Sequence, residues 1–365
     1  MCRYWLTTDS LFDKNNITEI KAGLDRLLKP GGPDFQSFIN KGICSAYHSR
    51  LSIQDISSQS NQPIVSEDTI LVYNGEILNW PKLLLDIPYE LKQREIKSDV
   101  HFLELLLKNN LIKKYLPYFR GFYSFVFVNQ KTNKILYCRD SLGVKPLYLG
   151  FSNTGNPIFS SLAEAITFHP NFEKRISLEG LQLYLQYGYF PGEESIFENI
   201  YQVSGGKLFE MNIDSRGRKI SLSNILNFDL NTFTSVSSIS QKDIRFDNNY
   251  FLDLIENSCK LRLLSDVPCA LLLSGGIDSS LLAWIYSKRL NVKLPCFTMD
   301  FEGCKEESEV SIAKKTCQIL NLEHHVVNFN KTKINSEIES IFKSQDQPFV
   351  DSSFIPLSIL SKEIS

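Results

Sequence analysis

The stretch Ala270 to Ser280, ALLLSGGIDSS, decides how the second half of the chain folds. Four apolar residues, Ala270, Leu271, Leu272 and Leu273, run straight into a glycine pair, an aspartate and two serines. Leu281, Leu282, Ala283 and Ile285 then continue at helical spacing. The pattern predicts a strand buried on both faces, a tight loop and a helix. Gly275 and Gly276 let a ligand approach the backbone, while successive amides and a helix start point partial positive charge at it. Ser274, Ser279 and Ser280 add hydroxyl donors. An anion such as a phosphate suits that loop, and Asp278 is placed to hold a magnesium ion. A strand-to-helix turn that happens to use glycine and serine is the plainer reading of the same residues.

Around this stretch, helical and strand patterns alternate. Asn249–Leu264 reads as helix, Ala270–Leu273 as strand, Ser280–Leu290 as helix, Pro295–Asp300 as strand, Glu307–Leu320 as helix and His324–Phe329 as strand. That order predicts a doubly wound parallel α/β sheet. Toward the N-terminus the pattern differs. Residues 1–210 alternate short β-rich runs with polar turns, including the aromatic-rich run Tyr118 to Val128, and helical patterns interrupt them at Ile17–Leu28 and Val100–Leu107. Sheets covered by helices, a layered α+β domain, fit better than an all-β sandwich. Between the two, residues 211–245 are rich in Ser, Asn, Asp and Thr and predict a linker with at most a hairpin, leaving 246–365 as the second domain.

Composition narrows the function. The chain has 365 residues, 43% of them hydrophobic and 22% charged, which suits two globular domains. A net charge of -2 gives no basic field, so nucleic acid is not expected as a partner. MCRYWLTTD lacks the apolar core of a signal peptide, and no run of about 18 apolar residues offers a membrane span. A soluble, cytoplasmic protein is expected. The eight cysteines form no CxxC pair, so all but Cys2 are expected to act as small buried hydrophobes. His324 and His325, in NLEHHVVNF, are expected in a strand-end or core role rather than at a zinc ion.

There is no GxxxxGK[ST] run and no strand-borne GxGxxG. SGGIDSS resembles instead the PP-loop, SGGxDS, of enzymes that split ATP into an adenylated substrate and pyrophosphate. Cys2, HSRLSIQD at His48–Asp55, YNGEI at Tyr73–Ile77, Ser98-Asp99 and RDSLGVKPLY at Arg139–Tyr148 resemble, in order, the landmarks of glutamine-dependent asparagine synthetases. SDVPCALLLSGGIDSS, FTMDFEG and DQPFVDSSFIP extend the resemblance almost to the last residue. It implies an Ntn-hydrolase-like glutaminase domain of the class II amidotransferases, followed by a PP-loop ATP domain that is incomplete at its C-terminus.

The residues themselves give Cys2 its chemistry. Once Met1 is removed, as the small side chain at position 2 permits, one residue carries a thiol and an α-amine. With a pKa of about 8, the amine is a local base for the thiol proton. The resemblance implies that this thiol attacks the side-chain amide of glutamine, with Asn74 and the Gly75 amide holding the oxyanion. It further implies that Arg50 clamps the substrate carboxylate, that Asp99 and Glu76 receive its ammonium, and that Leu51 and Ile53 line the site. Taken singly, the same residues read as a surface arginine, an NG turn and a helix cap. In the second domain the resemblance implies that Ser274, Gly275, Gly276, Asp278 and Ser279 bind the phosphates of ATP, with Asp278 at Mg2+ and Leu273 and Met299 near the adenine. Glu307 and Glu309 either line that crevice or form a charge pair at a helix start.

Three positions depart from the family pattern. Lys29-Pro30-Gly31-Gly32-Pro33-Asp34 keeps only the GPD part of an RHRGPD-like run, Leu162 follows Ser161 where an acidic residue is usual, and Gln347 follows Asp346 where a DEP element has glutamate. The chain also stops at Ser365, before the SGxGxDE-like loop that relatives place further on. The function implied is conversion of aspartate to asparagine with glutamine and ATP, through an acyl-adenylate. The alternatives are an amidotransferase acting on another carboxylate, such as a sugar acid or natural-product precursor, or a non-catalytic subunit. A homodimer, or a second chain completing the synthetase site, is the partner expectation, and ATP binding without synthesis is expected of residues 1–365 alone.

Overall fold

The computed structural model describes residues 2–9, 14–92, 95–228, 248–301, 309–343 and 345–364. The chain divides into two compact units, one holding the described residues within Met1–Ser238 together with Asp346–Phe349, the other those within Ile239–Gln345 and Val350–Ser365.

In the first unit the strands are β1 (Arg3–Thr7), β2 (Phe35–Lys41), β3 (Cys44–Arg50), β4 (Ile64–Val65), β5 (Thr69–Ile77), β6 (Gly121–Asn129), β7 (Lys134–Arg139), β8 (Tyr148–Phe151), β9 (Pro157–Ser160), β10 (Ile200–Gln202), β11 (Lys207–Ile213) and β12 (Lys219–Asn227). Two six-stranded antiparallel sheets result, ordered β10-β8-β9-β1-β3-β2 and β12-β11-β7-β6-β5-β4. They face each other across a core that includes Tyr4 and Leu6 of β1 and Val72 and Val126 of the second sheet. On the outer face of the first sheet, α1 (Lys14–Leu28) presents Ile20, Leu24, Leu27 and Leu28, one helical stripe, to Trp5 and Tyr47. On the outer side of the second sheet lies α3 (Asp99–Lys108), preceded by α2 (Trp80–Leu85). Phe102 of α3 packs against Trp80, and also against Phe119, which meets Tyr123 of β6. Short helices α4 (Ile112–Tyr115), α5 (Ala163–Ile166) and α6 (Leu178–Tyr187) complete the unit. All seven residues of β3 are buried, because this strand lies between β1 and β2 and each of its faces is covered.

The expected linker starts later than residue 211. β11 pairs with β7 along its whole length and β12 pairs with β11, so residues up to 227 extend the second sheet. Their polar side chains misled the reading: β12 is an edge strand whose residues are mostly exposed. Residues 229–245 of the expected linker lie outside the described residues.

The second unit contains β13 (Leu271–Leu272), β14 (Cys296–Phe301) and β15 (His324–Phe329), parallel and in that order. Its helices are α7 (Asn248–Leu261), α8 (Ile277–Trp284), α9 (Val310–Leu320), α10 (Lys331–Lys343) and α11 (Phe354–Ile364). Cys296 of β14 packs with Ala283 of α8 and Ala313 and Cys317 of α9, whereas Phe297 and Met299 pack with Ile341 of α10 and Ile359 of α11. Helices therefore cover both faces of a parallel sheet, the doubly wound arrangement that the alternation predicts. Ala270–Leu273 is not buried on both faces. The strand has only β14 beside it among the described residues, and Leu272 is 44% exposed. The following helix begins at Ile277 rather than Ser280, with Gly276 at its N-cap, and gives way at Ile285 to a π-helical turn. Asp278 and Ser279 are thus helical residues of the first turn, and the loop itself is only Ser274 to Gly276.

Of the cysteines, Cys44, Cys138, Cys259, Cys296 and Cys317 are buried, as small apolar side chains would be, and Cys269 is half-buried. Cys304 and Glu307 lie outside the described residues. His324 sits in β15 with Nε2 2.8 Å from the Thr298 hydroxyl, a strand role. Among the described residues no helix is long and apolar enough to cross a membrane.

Candidate functional site

Cys2 comes immediately before β1, which pairs with β3 in the register Arg3 opposite Ser49. One step further along the ladder, Cys2 meets the Arg50-Leu51 corner. The Leu51 N–H donates to Cys2 Sγ at 3.3 Å, and Sγ lies 3.5 Å from the Leu51 carbonyl. Burial raises the thiol pKa and Glu76 adds to the rise, against the Leu51 hydrogen bond and Arg50. A thiol in that setting becomes a nucleophile only when a base removes its proton.

The facing wall is β5. Alternation along the strand puts Val72, Asn74 and Glu76 on the face that looks into the core between the sheets, and Val72 belongs to that core. Asn74 is opposite Ser124, whose Oγ accepts from the Tyr4 hydroxyl at 3.0 Å, so the sheets are bridged two residues from Cys2. Asp99 opens α3, and its Oδ2 accepts from the Tyr73 hydroxyl at 2.6 Å and the Ile77 N–H at 3.0 Å. Glu76 accepts from the Gln54 amide, whose oxygen in turn accepts from the Trp80 indole at 2.8 Å. Burial pushes both carboxyls above their ordinary range, and Glu76 is pushed further by the charge of Asp99. Two buried acids this close favour a cationic group between or beside them.

The structure brings Cys2, Arg50, Leu51, Ile53, Gly75, Glu76 and Asp99 around one cavity of about 30 Å³. Asn74 is buried next to it in the strand rather than on its wall. Sequence reasoning missed Gln54, Ser60 and Tyr73, which share the wall. Gln54 and Tyr73 stand inside the recognised HSRLSIQD and YNGEI runs, so position in those runs was the available signal.

Arg50 differs from a free clamp. It is 4% exposed, and its guanidinium donates to the carbonyls of Ser57 at 2.7 Å and Gln54 at 3.2 Å, to the Asp55 carbonyl, and to Asn61 Oδ1 at 2.8 Å. One planar cation organises the whole 54–61 loop beside Cys2. Arg50→Lys, which keeps charge and loses the fork, is therefore expected to lower the melting temperature by releasing the 54–61 loop, and to weaken binding of any carboxylate ligand that this fork receives by about 1.5–3 kcal/mol. Thermal melts and calorimetry check this, and equal values for the two proteins would return Arg50 to a passive role.

The departures from the family pattern have local explanations. In the surviving GPD part, Asp34 Oδ2 accepts from the Ser52 N–H at 2.7 Å and the Asp34 N–H donates to the Arg50 carbonyl at 3.1 Å, fixing the corner that carries Leu51. Leu162 is buried in the α1 and α5 core. The two free amides that start α5, Ala163 and Glu164, donate instead to Asp346 at 2.8 and 2.9 Å. Burial raises the Asp346 carboxyl to about 6, partly offset by those amides. Gln347 Oε1 accepts from the Ile196 N–H at 2.8 Å while its Nε2 donates to the Tyr148 hydroxyl at 2.9 Å. Asp346 and Gln347 are thus packing residues of the first unit.

In the second unit, Gly275 has φ +81°, and a Cβ there would meet Glu309 O and Ile312 Cβ at 3.0 Å, so the loop turn requires glycine. Ser274 Oγ accepts from the Gly276 N–H at 3.3 Å and lies 3.1 Å from Ser279 Oγ. A cavity of about 470 Å³ opens above the strand ends, with Leu273, Ser274, Phe297, Met299, Asp300 and Glu309 among its lining. Gly275, Gly276, Asp278 and Ser279 stand beside it in the loop and the first helical turn, outside the lining.

A glutamine amidotransferase domain profile matches residues 5–220, more than half of the chain, so the chain belongs to that family. An asparagine synthase profile matches residues 251–365. A Methanocaldococcus jannaschii protein named as a glutamine-hydrolysing asparagine synthetase is 28% identical, over 94% of this chain and 68% of its own length. Bacillus subtilis asparagine synthetase [glutamine-hydrolyzing] 1 is 26% identical, over 94% of this chain and 52% of its own length. The chain therefore spans 68% of the first of these relatives and about half of the second. The solved B. subtilis glutamine phosphoribosylpyrophosphate amidotransferase is 14% identical, with a TM-score of 0.39 over 89% of this chain and 65% of that one. The fold assignment stands on the sheet order above and not on that likeness.

Proposed function

We propose that the chain is a glutamine-dependent, ATP-consuming amidotransferase of the asparagine synthetase type, in which Cys2 frees ammonia from glutamine. The observation that carries this is the convergence of Cys2, Arg50, Gly75, Glu76 and Asp99 on one cavity from four separate sequence runs. The α-amine of Cys2, freed by loss of Met1, takes the thiol proton. The thiolate attacks the side-chain amide carbon, and the oxyanion is received by the Asn74 amide and the Gly75 N–H, where one donor contributes about 3 kcal/mol. Collapse returns the proton to nitrogen, expels ammonia and leaves a thioester that water cleaves to glutamate. Arg50 holds the substrate carboxylate, Asp99 and Glu76 its ammonium, and Leu51 and Ile53 line its path.

The second unit is read as the ATP site. Its cavity of about 470 Å³ falls in the range of small-molecule pockets, and Leu273 and Met299 supply apolar contact for an adenine. Ser274, Gly275, Gly276 and Ser279 offer amides and hydroxyls to phosphate at the start of α8. Asp278, exposed in the first turn of α8, would offer a magnesium ion one carboxylate, with phosphate and water supplying the remaining ligands. The ion would neutralise pyrophosphate charge. Aspartate is the proposed carboxylate, adenylated and then released as its amide when ammonia displaces AMP.

Two measurements on the purified chain test this reading. Ammonia and glutamate should form from glutamine once mass spectrometry confirms an N-terminal Cys2, and MgATP should bind, about tenfold more weakly in Asp278→Asn, a difference of 1.4 kcal/mol. No ammonia from a chain that starts at Cys2 sinks the glutaminase reading, and unchanged ATP affinity removes Asp278 from the site. AMP formation across a panel of carboxylates identifies the acceptor.

A further inference from the structure

The loop between β7 and β8 holds one lysine by both polar groups of its backbone. Asp140 Oδ2 accepts from the N–H groups of Tyr123 at 3.1 Å and Lys145 at 3.0 Å, while its Oδ1 accepts from Leu142 at 3.2 Å and Val144 at 2.9 Å. Arg139 Nε donates to the Lys145 carbonyl at 2.7 Å, and its Nη1 to the Val203 carbonyl at 3.1 Å. Both polar groups of the Lys145 backbone are therefore pinned by buried or partly buried side chains. The lysine is 7% exposed, with Nζ 4.8 Å from the centre of the Phe122 ring. Phe122 is directly opposite Glu76 in the β5–β6 ladder, and opposite residues project from the same face about 5 Å apart.

A lysine this buried needs an anion, because desolvation disfavours its charge. The charges that bear on it are Glu76, Cys2 and Asp140. Asp140 is already answered by four amides. Glu76 is not: its described hydrogen-bond donor is the neutral Gln54 amide, and Asp99 and Cys2 on the other side are acidic. Arg50 also bears on Glu76, but both its Nη groups donate to the 54–61 loop rather than to Glu76. We infer that Lys145 is a positioning residue of the Cys2 pocket, whose ammonium supplies the countercharge that holds Glu76 as a carboxylate for the substrate ammonium. This rests on the glutaminase reading above.

The sign of the effect follows from the charges. Without the lysine charge, Glu76 loses its protons only at higher pH, and a carboxylic acid receives an ammonium poorly. In Lys145→Met the acidic limb of kcat/KM for glutamine is expected to move to higher pH by about one unit, while Lys145→Arg leaves it in place. A second readout needs no glutamine. At pH 8 Lys145→Met should melt several degrees lower than the parent, and adding Glu76→Gln should restore part of that loss by removing the stranded charge. If Lys145→Met does not purify folded, recovery of a folded protein by the double variant is the same rescue. Additive losses, or an unmoved limb in a folded and active variant, overturn the inference. Rescue in a chain whose parent releases no ammonia would instead sink the glutaminase reading and leave the charge pairing standing.

Discussion

Cys2→Ala is expected to reduce ammonia release from glutamine by about 10⁴-fold or more while the first unit stays folded. The size of the loss follows from what one residue is asked to supply. The thiol is both nucleophile and covalent carrier, and the α-amine beside it is the proposed base, so no neighbouring group can substitute for either bond-making atom. The geometry predicts little structural cost, since the Sγ contacts described are to the Leu51 N–H and carbonyl at the edge of the sheet. Cys2→Ser sharpens the test, because its hydroxyl can take the Leu51 N–H yet is a far weaker nucleophile with an amine base. Both variants should melt within a degree or two of the parent. Because burial holds the thiol proton tightly, kcat at saturating glutamine should rise between pH 6 and 8 as the α-ammonium, with a pKa of about 8, gives up its proton, whereas the acidic limb of kcat/KM also carries the ionisation of Glu76. Ammonia release that survives Cys2→Ala would remove this residue from the chemistry altogether.

How much of this was legible in the sequence depends on where each residue's meaning resides. Cys2, Arg50, Gly75, Glu76 and Asp99, which surround one cavity, could be picked out as a set because their order along the chain is distinctive, and order does not depend on tertiary contacts. What Arg50 touches was not legible. Its carbonyl partners at Gln54, Asp55 and Ser57 have no side-chain signature, so a residue read as a bare clamp proves to hold a loop. The same holds for Asp346 and Gln347, whose partners are backbone amides near residues 163 and 196. Lys145 stood inside a recognised run, yet only the fold sets its ammonium 4.8 Å from the ring of Phe122, the residue opposite Glu76 in the β5–β6 ladder.

The fold shows the same division. Periodicity gave α1 and the β14–α9–β15 alternation because their buried faces repeat along the chain, as in Ala313, Cys317 and Leu320. It failed at β12, an edge strand whose residues are mostly exposed and whose alternating Ile220 and Leu222 stand among polar neighbours, and at the start of α8, where Gly276 caps a helix that Asp278 and Ser279 were not expected to join. Edge strands and helix caps are set by what lies alongside them, and a local pattern does not contain that information.

Gly75→Ala is expected to cost about 3–5 kcal/mol and to abolish glutamine hydrolysis together with that stability. Two independent effects act at this position. Gly75 has φ +143°, a conformation that side-chain-bearing residues rarely adopt, and forcing alanine into it costs about 1–3 kcal/mol. A Cβ would also stand 2.1 Å from the Phe122 carbonyl oxygen and 2.5 Å from Tyr123 Cα. Both are backbone atoms of the partner strand, so no rotamer change relieves the clash and the ladder itself must open. Across the same pairing Gly121 has φ +153°, and a Cβ on it would lie 1.9 Å from the Glu76 carbonyl, so the two strands approach through glycine from both sides. The opening would displace Asn74 and Glu76, which flank Gly75, and with them the proposed oxyanion donors and the carboxylate opposite Phe122. A fall of several degrees in melting temperature, with faster amide exchange confined to β5 and β6, is the expected result. A Gly75→Ala protein that melts like the parent would show that the strands do not approach as closely as described, and the Gly75 N–H would lose its claim to face the reacting carbonyl.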